Sequence, residues 1–192
     1  MAKAKNKYDN LFVSGAAPEV QAARPLPAIG FIDSKMFEGS NGYMVFWIGP
    51  KSYGPYNDGT ETWGKISHGP HMHKYPELMM HLGTDPENPM DLGAEVEMCV
   101  GPEKEKHIIT KSTIVYLPPN FAHSPWTIKK VTRPFLLVTV NQSVKHTEKA
   151  LRDMVPEKDW SHTIFMDAGY EDEGIKPRFD WPKAAGPVTR YI

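Results

Sequence analysis

Two histidines and a glutamate lie close together in the segment HGPHMHKYPELMMHLG, which begins at residue 68. His71 and His73 are separated by one residue, so on a β-strand both imidazoles would project from the same face. Glu77 follows four residues after His73, beyond a proline that redirects the chain. Two imidazoles and a carboxylate that face one point can bind a divalent metal ion and leave coordination positions open. The spacing predicts a metal site, although a His-X-His pair also arises by chance in a chain with eight histidines.

A second segment, STIVYLPPNFAHSPWT at residues 112–127, supplies a further histidine. A predicted strand ends at Leu117, and two prolines with Asn120 form a tight turn, since asparagine tolerates the left-handed conformation. His123 then opens the next predicted strand. The segment therefore adds a fourth candidate ligand.

Together the two segments resemble the two sequence motifs of the cupin superfamily. The first motif is Gly, five residues, His-X-His, three or four residues, Glu, six residues, Gly. The second is Gly, five residues, Pro-X-Gly, two residues, His, three residues, Asn. The matching positions are His71, His73, Glu77 and Gly83 in the first motif, and Pro118, Asn120, His123 and Thr127 in the second.

Several positions depart from the family pattern. Lys65 stands where the first motif opens with glycine, and five residues rather than six separate the motif's glutamate from its closing glycine. Ser112, Asn120 and Thr127 replace two glycines and an asparagine of the second motif. All four ligand positions are intact, and asparagine or serine can partly replace a turn glycine. The resemblance spans roughly residues 40–142.

The resemblance implies a small antiparallel jelly-roll β-barrel with a divalent ion inside one open end. His71, His73, Glu77 and His123 would be its ligands. Three imidazoles and one carboxylate suit Fe, Mn, Ni, Zn or Cu and disfavour Mg and Ca, which prefer shells of oxygen. The expected cofactor is therefore a divalent transition metal.

The pattern along the rest of the chain is typical of an all-β domain. Three regions are expected: an N-terminal arm at 1–28, a cupin-like barrel at 29–145, and a C-terminal helix with a wrapping tail at 146–192. The helix is predicted because Thr147 can cap the segment EKALRDMV, with Pro156 beyond it. Strands are predicted at 31–37, 42–48, 77–82, 94–100, 107–110, 113–117, 135–140 and 163–166.

Two residues near the ligands are predicted to be catalytic. Strand parity places His81 on the same face as Glu77 but too far along the strand to bind the same ion. It is a candidate for proton transfer or substrate contact, with a buried structural histidine as the alternative. Tyr75 lies between His73 and Glu77 and is the second candidate.

Other polar residues carry weaker signals. His68 has the wrong parity for the ligand face unless Gly69-Pro70 bulges the strand. Glu95 and Glu97 share one face of a predicted strand, and solvent exposure is favoured for them because buried carboxylates are costly.

Candidate pocket walls are Trp47, Trp63, Trp126 and Tyr116. Arg133 is a candidate partner for a substrate carboxylate, with an ordinary surface role as the default, and His107, His146 and His162 are expected to be structural.

Composition excludes several classes of protein. With 22 basic and 23 acidic residues the net charge is −1, which disfavours nucleic-acid binding. No apolar run approaches the roughly 20 residues of a membrane helix. The N-terminus has no apolar segment typical of a secretory signal. The only cysteine, Cys99, cannot form an intramolecular disulfide. A cytoplasmic protein is expected.

The leading hypothesis is a metal-dependent enzyme that acts on a small oxygenated organic substrate. Dioxygenation or lyase and decarboxylation chemistry is favoured, and isomerisation is possible, since one fold hosts many reactions. The alternative is a non-enzymatic cupin that binds or senses a small molecule, although no helix-turn-helix fits the arm or the tail. A homodimer is expected because apolar residues in both regions need cover.

Overall fold

The computed structural model describes residues 7–16, 28–50 and 67–181. Within these ranges the chain is almost entirely β-structure, with four short 3₁₀ turns at Asp9–Leu11, Arg152–Met154, Glu157–His162 and Glu171–Glu173. The strands are β1 (Ala28–Ile32), β2 (Gly42–Ile48), β3 (Ser67–His68), β4 (His71–Met72), β5 (Glu77–Gly83), β6 (Asp91–Val100), β7 (Glu105–Lys111), β8 (Thr113–Leu117), β9 (His123–Val131), β10 (Phe135–Asn141), β11 (Lys149–Ala150), β12 (Thr163–Asp167) and β13 (Arg178–Asp180).

The strands form two sheets. One has five strands in the order β1-β2-β10-β5-β8, and the other has eight strands built around β6, β9 and β12. Every pairing between the named strands is antiparallel except that of β12 with β3. Within the described ranges the sheets do not close into one continuous barrel, and the arrangement is consistent with the predicted all-β jelly-roll class.

Alternating apolar residues of both sheets make one core. Phe135 and Leu137 of β10 meet Val96 of β6 and Ile128 of β9 in the same buried cluster. Inward and outward residues alternate along these strands because successive side chains point to opposite faces. Core residues such as Met79, Trp126 and Leu137 also border the cavity that contains polar residues of β4, β5 and β9.

The predicted C-terminal helix at the start of the tail is wrong. Residues 149–150 instead form β11, which pairs with β4, and the only helical turn within the predicted segment is the 3₁₀ turn Arg152–Met154. Backbone groups of Glu148 bond to Ala168, and the hydroxyl of Thr147 accepts a hydrogen bond from the Lys74 amide instead of capping a helix. Helical propensity is a weak preference that such tertiary bonds override.

The described residues after 145, which end at 181, contribute strands to the second sheet. Strand β12 pairs in parallel with β3, placing Ile164 beside His68. Residues 28–32 begin the first sheet, and Gly15 forms a parallel bridge with Gly30. The three-region division of the chain stays a prediction. Among the described residues, no helix has the length and apolar character needed to cross a membrane.

Candidate metal centre

Two short strand pairings bring the predicted ligands together. On β4, His71 lies opposite His123, the first residue of β9. His73 comes directly after β4, and Glu77 is the first residue of β5. The turn before β9 is fixed by Asn120, which takes the left-handed conformation at φ 57° as its sequence position predicts. Its backbone N–H donates to the carbonyl of His73 at 2.7 Å, which ties the turn to the first motif.

The four side chains converge on one point. One ligand atom from each of His71, His73, Glu77 and His123 lies within 4.8 Å of the others, and all four residues are buried. The Oε2 atom of Glu77 is 3.4 Å from Nε2 of His73 and 3.3 Å from Nε2 of His123. The structure therefore brings together the full ligand set that the sequence predicts.

Backbone carbonyls fix the tautomer of each histidine. The Nδ1 atom of His71 bonds to the Gly69 carbonyl at 2.8 Å, and that of His123 bonds to the Phe121 carbonyl at 3.1 Å. The Nδ1 atom of His73 bonds to the carbonyl of Thr147. A carbonyl only accepts, so each Nδ1 carries the hydrogen and each Nε2 offers a lone pair. Metal-bound histidines are held in this way by their second nitrogen.

This donor set fits a divalent transition metal. Among the described residues, the buried Nε2 atom of His123 has no hydrogen-bond partner. A buried atom of this kind is costly unless something pairs with it. Three imidazole lone pairs and the Glu77 carboxylate repel one another unless a cation or a proton lies between them. Nitrogen-rich sets with one carboxylate suit Mn, Fe, Ni and Zn.

The pKa values of the clustered residues reflect the same electrostatic repulsion. Burial and the neighbouring His123 hold the pKa of His71 well below its usual range. Burial raises the pKa of Glu77, but the imidazoles of His123 and His73 beside it outweigh burial and hold that pKa far below the ordinary value. Burial lowers the pKa of His73, yet the adjacent Glu77 carboxylate outweighs it and raises that pKa above the ordinary value. The site therefore favours an ionised carboxylate with positive charge beside it.

A second carboxylate, Glu148, borders the cluster and was missed by the sequence analysis. It is 2% exposed, and its Oε1 lies 2.7 Å from Nε2 of His68. Its Oε2 lies 3.6 Å from Nε2 of His146. Burial raises the pKa of Glu148, but His68, His71 and His146 outweigh it and hold that pKa well below its usual range. Glu148 lies in the segment that was predicted to be a helix. It is also far from both motifs in the sequence, so no local pattern indicated that it would reach the site.

The position of His68 follows from a break in the strand. Gly69-Pro70 separates β3 from β4 and resets the parity, which is the exception that the sequence analysis allowed for. The His68 ring then stacks on that of His71, with centroids 4.3 Å apart. Position 69 needs glycine because a Cβ there would lie 2.7 Å from the Phe165 ring.

A cavity of about 140 Å³ opens onto the four predicted ligands. The polar part of its wall includes His68, His146 and Glu148, and the rest is largely apolar. Trp126 is one of its walls, as predicted. The tail adds Ile164, Met166, Phe179 and Trp181, which the sequence analysis did not place in the site.

Tyr75 supports the cluster from outside the cavity. Its ring stacks on that of His73 at a centroid distance of 5.1 Å. Burial, with the charge of Glu77 nearby, raises its pKa, so the phenol keeps its proton. The hydroxyl lies at hydrogen-bond distance, 2.8 Å, from Nδ1 of His146. A catalytic role for Tyr75 stays a prediction, and the geometry makes it a positioning residue for His73 and His146.

His81 lies behind the cavity wall. It is completely buried, and its Nε2 accepts a hydrogen bond of 2.9 Å from the indole nitrogen of Trp126. It does not line the cavity, so any influence on a substrate passes through Trp126. Burial lowers the pKa of His81 from 6.5 to about 4, with the Thr113 backbone opposing weakly. Its catalytic role also stays a prediction.

The depressed pKa of His81 predicts a loss of stability in acid. Between pH 6.5 and pH 4 the unfolded chain binds a proton at this residue and the folded chain does not, so stability falls as the pH falls. The effect is roughly 3 kcal/mol across that window. In His81→Gln, which cannot titrate, the free energy of unfolding should fall less steeply, with metal content unchanged. The free energies of unfolding are measured with urea from pH 7 to pH 4. An equally steep fall with pH in wild type and variant would contradict this prediction.

Other sequence candidates lie away from the cavity. Trp47 and Tyr116 are partly exposed, at 41% and 58%, and do not line it. Arg133 pairs with Asp85 and Asp91, which matches the default surface role. Glu97 pairs with surface lysines while Val96 and Met98 are buried, as favoured. Exposed His107 and His162 take no part, and Trp63 lies outside the described residues.

No family model matches the chain, and no curated protein matches it. Three of the similar solved structures are a protein of Klebsiella pneumoniae with a double-stranded β-helix domain, an oxalate oxidase bound to glycolate, and the polyketide cyclase RemF of Streptomyces resistomycificus. These neighbours are cupin and double-stranded β-helix proteins.

The similarity is distant in each case. Identities are 11%, 12% and 10%, and TM-scores are 0.39, 0.43 and 0.45, in the same order. The matches cover 70%, 79% and 84% of this chain and 94%, 67% and 93% of the respective neighbours. The chemistry assigned to this chain therefore rests on its own residues and their geometry.

Proposed function

We propose that this protein is a metal-dependent enzyme that acts on a small oxygenated organic substrate. The ligands would be His71, His73, Glu77 and His123, and the ion Mn, Fe, Ni or Zn. The observation that carries the proposal is the set of three Nε2 lone pairs aimed, with one carboxylate, at a point on the cavity wall. Four protein ligands leave one or two positions of a five- or six-coordinate ion for substrate.

Dioxygenation and lyase or decarboxylation chemistry are the reactions we favour. When bound, such an ion supplies Lewis-acid or redox chemistry toward an oxygen of the substrate. The protein's own part is to orient the substrate and to limit water. The apolar side chains around the ligands, among them Trp126 and Ile164, do this by lining the cavity. Excluding water strengthens every electrostatic interaction inside.

Glu148 is the group we propose for proton transfer. Its carboxylate lies on the cavity wall and accepts a hydrogen bond from His68. A proton taken from the substrate at an oxygen of Glu148 has a route outward, since the side chains of His68 and His146 are 29% and 40% exposed. Glutamate is one of the side chains that act in general acid–base catalysis.

The alternative is a small-molecule binding protein without catalysis, which the apolar walls of the cavity favour. Such a protein gains nothing from a second buried carboxylate linked to two histidines. For the enzyme as for the binding protein, we propose a homodimer located in the cytoplasm.

A substrate screen tests the enzyme proposal. Full-length protein, purified without a histidine tag and reloaded with Mn(II) or Fe(II), is offered small hydroxy and oxo acids under air and under argon. Turnover only in air supports dioxygenation, and turnover in both supports lyase or decarboxylase chemistry. Binding of these acids without turnover under either gas would overturn the enzyme proposal in favour of the binding protein.

A further inference from the structure

Besides Nε2 of His123, two buried polar atoms of the described residues on the cavity wall lack hydrogen-bond partners. The hydroxyl oxygen of Thr139 and the amide oxygen of Asn141 have no hydrogen bond to any described residue. The two residues are 6% and 5% exposed, and both line the cavity. A buried polar atom left unpaired costs about 1–3 kcal/mol, so unpaired atoms of this kind are rare in folded proteins and call for an explanation. Neither atom serves the metal ligands or the proton-transfer group.

Strand register places these atoms at defined distances from the metal ligands. On β10, Asn141 lies opposite Glu77, and Thr139 lies opposite Met79. Alternate residues on one face are roughly 6.5–7 Å apart, so Thr139 is one such step beyond the ligand level. The next inward residue, Leu137, is apolar. A molecule anchored at the metal and extending along β10 therefore meets Asn141 first, then Thr139, then a hydrocarbon surface.

The charge of the cavity limits what can enter it. Among the described residues that line it, none is lysine or arginine. The acidic residues on the wall are Glu77 and Glu148, whose two negative charges balance a divalent cation. A dianionic substrate would add uncompensated negative charge to a largely dry site, which is costly.

The apolar part of the cavity wall suits a ring-sized body. Met44 and Phe46, paired with Thr139 and Leu137 on the same sheet, line the cavity together with Trp126 and Phe179. Aromatic and thioether side chains pack well against a ring. A volume of about 140 Å³ accommodates one ring with a short head group rather than a long chain.

We infer that the substrate is a neutral or monoanionic molecule with a metal-binding oxygenated head and an apolar, ring-sized body that carries a hydroxyl group. This inference rests on the proposed metal-dependent function. The head donates a hydrogen bond to Asn141, and the hydroxyl of the body pairs with Thr139. Both orphan atoms are thereby satisfied. A site built to pair a substrate hydroxyl discriminates against the analogue that lacks it.

The test uses four probes that share an oxygenated metal-binding head. Mandelate and its 3-hydroxy and 4-hydroxy derivatives differ only in the ring hydroxyl, and oxalate is the small dianion. Binding to full-length Mn(II)-loaded protein is measured by titration calorimetry. Whichever of the two hydroxy derivatives binds more tightly should exceed the affinity of mandelate by about tenfold. Oxalate should bind more weakly than mandelate.

The matched variant is Thr139→Val, which removes the hydroxyl at nearly constant size. It should abolish the tenfold preference while leaving mandelate affinity and metal content unchanged. Equal affinity for mandelate and its derivatives, an unchanged preference in Thr139→Val, or tighter binding of oxalate would each overturn the inference. Failure of the wild type to take up metal would instead overturn the proposed function, so the two failures are distinguishable.

Discussion

Replacing His123 with alanine should weaken metal binding by at least about 100-fold. The residue supplies one of four ligands, and its buried Nε2 has no other partner among the described residues. His71→Ala should have a similar effect, because His71 lies opposite His123 across the β4–β9 pair. Competition with a chromophoric chelator for Zn(II) gives the affinity directly, and elemental analysis gives the metal content of protein as purified.

The control for these variants is His107→Ala, on an exposed position of β7. It should bind metal as the wild type does. Metal should also raise the melting temperature of the wild type and of this control but not of the ligand variants, because only a bound ion shifts the folding equilibrium. Unchanged metal content in both His71→Ala and His123→Ala would place the ion elsewhere.

Glu148→Gln should lower turnover by about 10²–10⁴-fold while keeping the metal. The amide preserves the size of the side chain but accepts a proton poorly, and the proposed ligands are untouched. The measurement is kcat for a substrate found in the screen, together with metal content of the same sample. Loss of activity with full metal content separates proton transfer from metal binding.

Glu97→Gln is the matched control for that substitution. Glu97 pairs with Lys106 and Lys129 on the protein surface, away from the cavity. It should retain wild-type kcat. If Glu148→Gln also keeps wild-type kcat, the carboxylate has a structural role in holding His68 and His146, and another group moves the proton.

Most strands were predictable because their signals are local. The predicted segment 42–48 is β2, and 113–117 is β8, with the same limits. Alternation of side chains also predicted which face of β6 is buried, since Val96 and Met98 are inside. The predicted helix failed because its sequence carries a local cap signal, whereas its backbone is bonded to residues some 20 positions away.

The ligand set was predictable and its surroundings were not. His71, His73 and Glu77 stand at fixed spacing on one segment, and the second motif added His123. Glu148 and Trp181 reach the cavity through pairings of β11 to β13, which no local pattern encodes. The position of His146 on the cavity wall was unpredictable for the same reason, and its expected structural role stays a prediction. Long-range pairing of short strands leaves little trace in the sequence around them.

We propose that His71, His73, Glu77 and His123 bind one transition-metal ion. X-ray absorption of the Zn(II)- or Mn(II)-loaded full-length protein is the decisive measurement. We expect a first shell that contains three imidazole nitrogens and at least one oxygen, at about 2.0–2.3 Å. One equivalent of metal should saturate the spectrum, and the imidazole signal should fall in His123→Ala. A shell of oxygens alone, or a spectrum unchanged by that substitution, would contradict the claim.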